Sequence, residues 1–151
     1  MLIGVINRMA IVEGTAYWAS VKRPNTTYEP VYSVNLVVEE DTAKDFKRRG
    51  FTVKDMDEGP ALIIKRKVNG GPKGTREAPK LYDRMKEEID VEVGNGSKVK
   101  VQYREWEMDR GQQHFQGLEF VAMQVLDLVP YRSGGAGDEF DVEDAVEEDE
   151  L

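Results

Sequence analysis

Hydrophobic and polar residues alternate most strictly over residues 98–108. Val99, Val101 and Tyr103 fall on one face, and Lys98, Lys100, Gln102, Arg104 and Trp106 on the other. That pattern predicts a strand with one side on a core. Residues 31–39 (VYSVNLVVE), 61–68 (ALIIKRKV) and 115–131 read as further strands, the last ended by Pro130. Residues 15–23 alternate loosely, with Tyr17, Ala19 and Val21 opposite Trp18, Ser20 and Lys22, until Pro24 and Asn25 break the run. Residues 1–13 are mostly apolar and fit either a strand or a packed arm.

Helical spacing predicts two short helices. Over residues 42–49, Thr42 stands as N-cap with Asp45 three residues on, Ala43 and Phe46 share a face, and Gly50 follows the end. Over residues 79–89, Pro79 suits the first position, and Leu81, Met85 and Ile89 recur every four residues. Between the elements lie a turn at 55–60, a flexible, Gly-rich and basic loop at 69–75 (NGGPKGT), the Asn95–Gly96 turn signal, a polar loop at 110–116 and a Gly-rich joint at 133–137. Five or six sequential strands without βαβ spacing predict a mainly β domain. An OB-fold-like antiparallel barrel of five strands with a helix between strands fits best, and a plain β-sandwich is second.

Composition adds three constraints. A chain of 151 residues is one ordinary domain, able to bury a core without staples. It contains no cysteine, so disulfide and thiol chemistry are excluded and nothing argues for secretion. The apolar start is brief and interrupted by Asn7 and Arg8, unlike a signal peptide, and no stretch approaches the roughly 18 apolar residues of a membrane span. The expected compartment is the cytoplasm, with no membrane partner.

Charge changes the picture more. The chain holds 21 basic and 29 acidic residues, a formal net charge of −8. Nine of the acidic residues are Asp138, Glu139, Asp141, Glu143, Asp144, Glu147, Glu148, Asp149 and Glu150, and residues 138–151 include no Lys or Arg. Residues 1–132 therefore form a nearly neutral domain, and residues 133–151 a joint and a polyanion. A polyanion tethered to a balanced body suggests a body that itself prefers anions.

Candidate enzyme chemistry is thin. With a single histidine, His114, and no cysteine, zinc sites and nucleophilic triads cannot be assembled. Asp55, Asp57 and Glu58, like Glu39, Glu40 and Asp41, sit where solvated turns and helix starts usually carry charge. Gly70, Gly71 and Gly74 lack the Gly-Lys-Ser/Thr lead into a helix that a P-loop needs. No catalytic residue, cofactor or metal is expected.

A binding surface is better supported. Lys65, Arg66, Lys67, Lys73 and Arg76 occur in a span without an acidic residue, on one strand and its following loop. Phosphates call for such spaced cations. The outer face of residues 98–108 adds Lys98, Lys100 and Arg104 beside Trp106, and residues 15–23 echo it with Trp18, Lys22 and Arg23. An exposed indole among cations suits base stacking. The same indoles would also serve to cap a barrel core.

The segments VNGGPKGTREAPKLYD, VGNGSKVKVQY and LEFVAMQVLDLVPY, followed by the acidic end, resemble the phage-encoded single-stranded DNA-binding proteins that have an OB fold and an acidic C-terminal tail. The resemblance covers most of the body and the tail. It implies sequence-independent binding of single-stranded DNA in phage DNA replication and recombination, in the host bacterial cytoplasm. It also implies a tail that docks replication proteins such as the polymerase or primase-helicase. Related tails often end in an aromatic residue, whereas this one ends in Leu151 with Phe140 eleven positions back.

The expected DNA-binding residues are thus Trp18, Lys22, Arg23, Lys65, Arg66, Lys67, Lys73, Arg76, Lys98, Lys100, Arg104 and Trp106. The tail would compete with DNA for them, since a flexible segment of about 20 residues spans about 25 Å. A homodimer stays open as an assembly. The rival reading is an acidic-tailed chaperone or adaptor for basic proteins. A second rival, a metal-dependent nuclease accessory, would need Asp55, Asp57 or Glu58 in the groove.

Overall fold

The computed structural model of the chain describes residues 2–130. The expected joint at 133–137 and the acidic tail at 138–151 lie outside the described residues. Seven strands and one α-helix follow in the order β1 (Leu2–Asn25), β2 (Val31–Val37), α1 (Glu40–Arg48), β3 (Val53–Met56), β4 (Gly59–Lys67), β5 (Lys80–Tyr82), β6 (Ser97–Arg110) and β7 (Gln113–Asp127). Their order in the sheet is β3-β4-β2-β1-β6-β7-β5. A parallel pairing of β4 with β7, Ile64 opposite Leu118 and Lys65 opposite Glu119, closes β1, β2, β4, β6 and β7 into a five-stranded barrel. The fold is therefore an OB-fold-like, mainly β barrel, and the sandwich alternative falls away because closure joins what would have been two sheets.

The alternation over 98–108 builds this barrel as expected. Ser97, Val99, Val101, Tyr103 and Glu105 of β6 are buried, and their neighbours are not. Val34 and Leu36 of β2, Leu62 and Ile64 of β4, and Phe120 and Met123 of β7 complete a single core with them. Each fully buried aliphatic or aromatic side chain contributes about 1.5–3 kcal/mol relative to exposure.

The two apolar runs of the first 25 residues are one strand. β1 continues through Pro24 and Asn25, and it absorbs its curvature in register shifts after Val5, Tyr17 and Ser20. Such bulges bend a strand without ending it, which lets β1 pair with β6 along one stretch and with β2 along another. Trp18 sits in one of these irregularities at φ 53°.

The first predicted helix starts two residues earlier than Thr42, at Glu40, with Glu39 as N-cap and no side-chain cap bond. Its end is as expected. Gly50 adopts φ 97°, its N–H donates to the Lys47 carbonyl at 3.0 Å, and the Phe51 N–H donates to the Phe46 carbonyl at 3.0 Å. That is a Schellman termination, and it turns Phe51 back against Phe46 at 5.8 Å. Phe46 also meets Tyr103 edge-on at 5.9 Å, so the helix lays its apolar face on one end of the barrel.

The second predicted helix, over 79–89, does not form. Lys80–Tyr82 is strand β5, paired in parallel with β7, and Leu81 is buried opposite Met123. The Asp83 carboxylate then accepts the N–H groups of Met85 and Glu87, both at 2.9 Å, and Lys86 takes φ 67°. Side-chain bonds of this kind give the backbone an alternative to a helix. The chain doubles back so that the Ile89 N–H donates to the Leu81 carbonyl at 3.0 Å, and Met85, at the tip, is 78% exposed. The four-residue recurrence was thus two sides of a tight reversal.

Two loops are more ordered than expected. Residues 69–75 hold a single 3-10 turn, Gly71–Lys73, closed by a bridge between Asn69 and Thr75 and by the Arg76 N–H donating to the Val68 carbonyl at 2.7 Å. The expected loop at 110–116 shrinks to Gly111 and Gln112, with Gly111 at φ 62°, so His114 is a strand residue of β7 opposite Asp109.

Candidate nucleic-acid interface

The β4–β7 pairing that closes the barrel spans only two residue pairs. Beside it opens a groove of about 980 Å³. β4 contributes Ile63, Lys65, Arg66 and Lys67, the following loop Lys73 and Arg76, β6 Arg104, Trp106, Glu107 and Met108, and β7 the run from Phe115 to Glu119. Phe51 and Thr52, placed by the helix termination, also line it.

Seven of the twelve expected residues thus meet in one place: Lys65, Arg66, Lys67, Lys73, Arg76, Arg104 and Trp106. Their meeting follows from topology. The β4–β7 closure brings the basic strand beside the outer face of the β6–β7 hairpin, which carries Arg104 and Trp106. Six cations face two carboxylates, Glu107 and Glu119, so the groove is net positive on a body of balanced charge. Lys65, Lys67 and Lys73 are exposed; Lys67 stands 3.8 Å from Glu29, while Lys65 and Lys73 have no ion-pair partner among the described residues. Arg66 and Arg76 are partly committed to main-chain carbonyls, those of Glu77 for Arg66 and of Lys67 and Asn69 for Arg76.

Trp106 is half-buried, opposite Gly117 in the β6–β7 ladder. Phe115, two residues before that glycine, is 40% exposed and lines the groove with Trp106 and Phe51. Sequence reading passed over Phe115, although period two from Phe120 and Leu118 inward assigns Phe115, Gly117 and Glu119 to the outer face.

The other five expected residues are elsewhere. Lys98 and Lys100 lie on the same face of β6 as Arg104, but Lys98 is about 20 Å from it at the strand's rise per residue. Trp18 is 65% exposed near the start of β6, its backbone N–H donating to Asn95 Oδ1 at 2.8 Å. Lys22 donates to the Pro79 carbonyl at 3.2 Å and lines a small second pocket with Leu81, Glu88, Ile89 and Asp90. Arg23 pairs with Asp90 and Glu92 at 3.3 and 3.2 Å.

Two charged clusters border the groove. The Glu105 carboxylate is buried on the inner face of β6 and accepts Arg49 Nη1 at 2.9 Å. Glu105 foremost, with Asp45, holds the Arg49 guanidinium above its ordinary range, and the same group lies over the rings of Phe46 and Phe51 at 4.8 and 5.2 Å. His114 Nδ1 is 2.6 Å from Asp109 Oδ1, and its Nε2 lies 3.2 Å from Gln116 Oε1 and 3.6 Å from Glu107 Oε1. Asp109, chiefly through that hydrogen bond, raises the imidazole pKa above 6.5.

Asp55, Asp57 and Glu58 lie on β3 and its turn, and none lines the groove. Among the described residues no three His, Cys, Asp or Glu side chains are grouped to hold a metal ion, and no helix is long and apolar enough to cross a membrane.

No family model and no curated protein matches the chain. Solved structures do. The chain is similar to gp2.5, a single-stranded DNA-binding protein encoded by bacteriophage T7, with a TM-score of 0.64 and 15% identity over 91% of this chain and 96% of that one. This chain shares its fold. The single-stranded DNA-binding protein from bacteriophage Enc34 matches at a TM-score of 0.56 and 16% identity, covering 96% of this chain and 99% of that one. The Enc34 protein in complex with single-stranded DNA matches at 0.57 and 15% identity, over 82% of this chain and 88% of that one. The resemblance to phage single-stranded DNA-binding proteins therefore holds for the fold over most of the chain.

Proposed function

We propose that this protein binds single-stranded DNA without sequence preference, as a non-enzymatic phage protein of DNA replication and recombination. The observation that carries the proposal is that six cations and a half-buried indole line one groove on a barrel of this fold. Phosphates would be met by Lys65, Lys67, Lys73 and the arginines, and bases would stack on Trp106 and Phe115. Stacking tolerates any base because every base has a π face. A duplex presents its bases already stacked and paired, so the same groove favours single strands.

The acidic residues 138–151 act in this reading as a tethered competitor for the groove. Displaced by DNA, they become a docking segment for replication proteins such as a polymerase or primase-helicase.

The test is a titration of tryptophan fluorescence with oligo-dT and with a duplex of equal length at several salt concentrations. Quenching by the single strand alone is expected. Each phosphate neutralised on a single strand contributes about −0.7 to the slope of log K against log salt, so six cations bound that slope at about −4. Equal affinity for both DNAs, or a salt-independent affinity, would refute the proposal.

A further inference from the structure

Three arginines from β4, the following loop and β6 converge on one carboxylate within the groove. Arg66 Nη1 donates to Glu119 Oε2 at 2.7 Å, Arg104 Nη1 donates to Glu119 Oε1 at 3.1 Å, and Arg76 Nε stands 3.9 Å from Oε2. A guanidinium fork accepts a carboxylate or a phosphate by the same geometry, because both present paired anionic oxygens. The Glu119 side chain is only 21% exposed, so salt screens these contacts less than it would screen surface pairs.

Glu119 is not needed to place two of the three forks. The Arg66 Nε donates to the Glu77 carbonyl at 2.8 Å, and Arg76 Nη1 donates to the carbonyls of Lys67 and Asn69 at 3.2 and 3.1 Å. The Arg104 side chain has Glu119 as its only hydrogen-bond or ion-pair partner among the described residues. The carboxylate thus occupies donors that are already positioned, in the most cationic part of the groove.

We propose that Glu119 is a built-in phosphate mimic that holds down the affinity for single-stranded DNA. The inference rests on reading this groove as the DNA site. A phosphodiester entering the groove must take guanidinium donors from Glu119, and Arg104, whose side chain has no other partner among the described residues, is the one that swings. The exchange keeps the arginines neutralised and ordered between binding events. It also makes the bound state weaker and shorter-lived than six cations alone would make it.

The experiment compares the full chain with Glu119→Gln, which keeps the shape and removes the charge. Binding of dye-labelled oligo-dT is read by anisotropy across a salt series, with thermal melting as a check on folding. Affinity about five- to tenfold tighter is expected at low salt, from one carboxylate withdrawn several ångströms from a bound phosphate. The salt slope should steepen by about 0.7, as one more phosphate is neutralised. A purely structural role would lower the melting temperature and leave the slope unchanged. If Glu119→Gln does not fold, Glu119→Asp, whose carboxylate is one methylene short of the arginines, is measured instead with a smaller gain expected. Wild-type binding with neither variant tighter overturns the inference alone. Wild-type protein that ignores oligo-dT overturns the reading of the groove and the inference with it.

Discussion

The indole of Trp106 rests on the backbone of Gly117. Its Cζ2, Cε2 and Nε1 atoms all lie within 2.9 Å of the point where a β-carbon on Gly117 would project. The pair faces across the β6–β7 ladder, so the glycine supplies the gap in which the ring sits, much as an aromatic ring covers a glycine elsewhere in sheets. Trp106→Ala should weaken oligo-dT binding by about 1–3 kcal/mol. Gly117→Val should lift the ring from its seat and reproduce much of that loss while leaving the indole in the protein, with a shift of its emission maximum. Unchanged affinity in a folded Trp106→Ala protein would make the indole a cover for the sheet and nothing more.

The barrel was legible where one face of a strand is core and the other is water. Over 98–108 the two-residue period put Val99, Val101 and Tyr103 inward, and all three are buried, with Glu105 on the same face unforeseen. Reading failed where local hydrogen bonding overruled periodicity. Leu81, Met85 and Ile89 have helical spacing, but the Asp83 carboxylate captures the amides of Met85 and Glu87 and turns the chain. It failed again where curvature is stored in bulges, since nothing local marks β1 as one strand through Pro24.

The basic groove was legible as residue types, because cations without acids between them stand out in a balanced body. Which cations share a surface was not, since that depends on the β4–β7 closure joining residues about fifty positions apart. The committed partners were equally hidden: the anchoring of Arg23 by Asp90 and Glu92, and the convergence of arginines on Glu119, are long-range.

Arg49 links the end of α1 to the barrel through Glu105. The pair is shielded on one side only, because the carboxylate is buried while a third of the Arg49 side chain meets solvent. Removing one partner of a buried pair strands a charge, at about 3–5 kcal/mol when both are fully enclosed. Arg49→Leu should therefore destabilise the fold by about 2–3 kcal/mol, somewhat below that range. The double variant Arg49→Leu with Glu105→Leu should recover a substantial part of the loss, because no charge is left behind. Urea unfolding of the three proteins decides it, and a double variant less stable than the single would argue against a stranded carboxylate.

His114 gives the β6–β7 hairpin a pH dependence whose sign is fixed. Its folded pKa is raised by Asp109, with Gln116 and Glu107 also facing the ring. A group raised on folding stabilises fully below its unfolded value, near 6.5, and loses that contribution as pH rises through the folded value. The melting temperature of the wild type should therefore exceed that of His114→Gln at about pH 6 and converge with it at higher pH. About half of the His114 side chain meets solvent, so the difference should be small. A difference that grows with pH would contradict the assignment.

Removal of residues 138–151 tests the competitor role of the acidic segment. Those residues carry nine negative charges and no positive one, while the groove gathers six cations. In the competitor reading their encounter is intramolecular, and tethering of that kind gives effective concentrations in the millimolar range. If the segment occupies the groove, DNA must displace it before it can bind. Truncation should tighten oligo-dT binding most at low salt, and the gain should shrink as salt weakens both rivals together. Adding the severed peptide back in excess should restore part of the weaker affinity. If truncation leaves the low-salt dissociation constant unchanged, the segment does not reach the groove, and its charge serves partners or solubility alone.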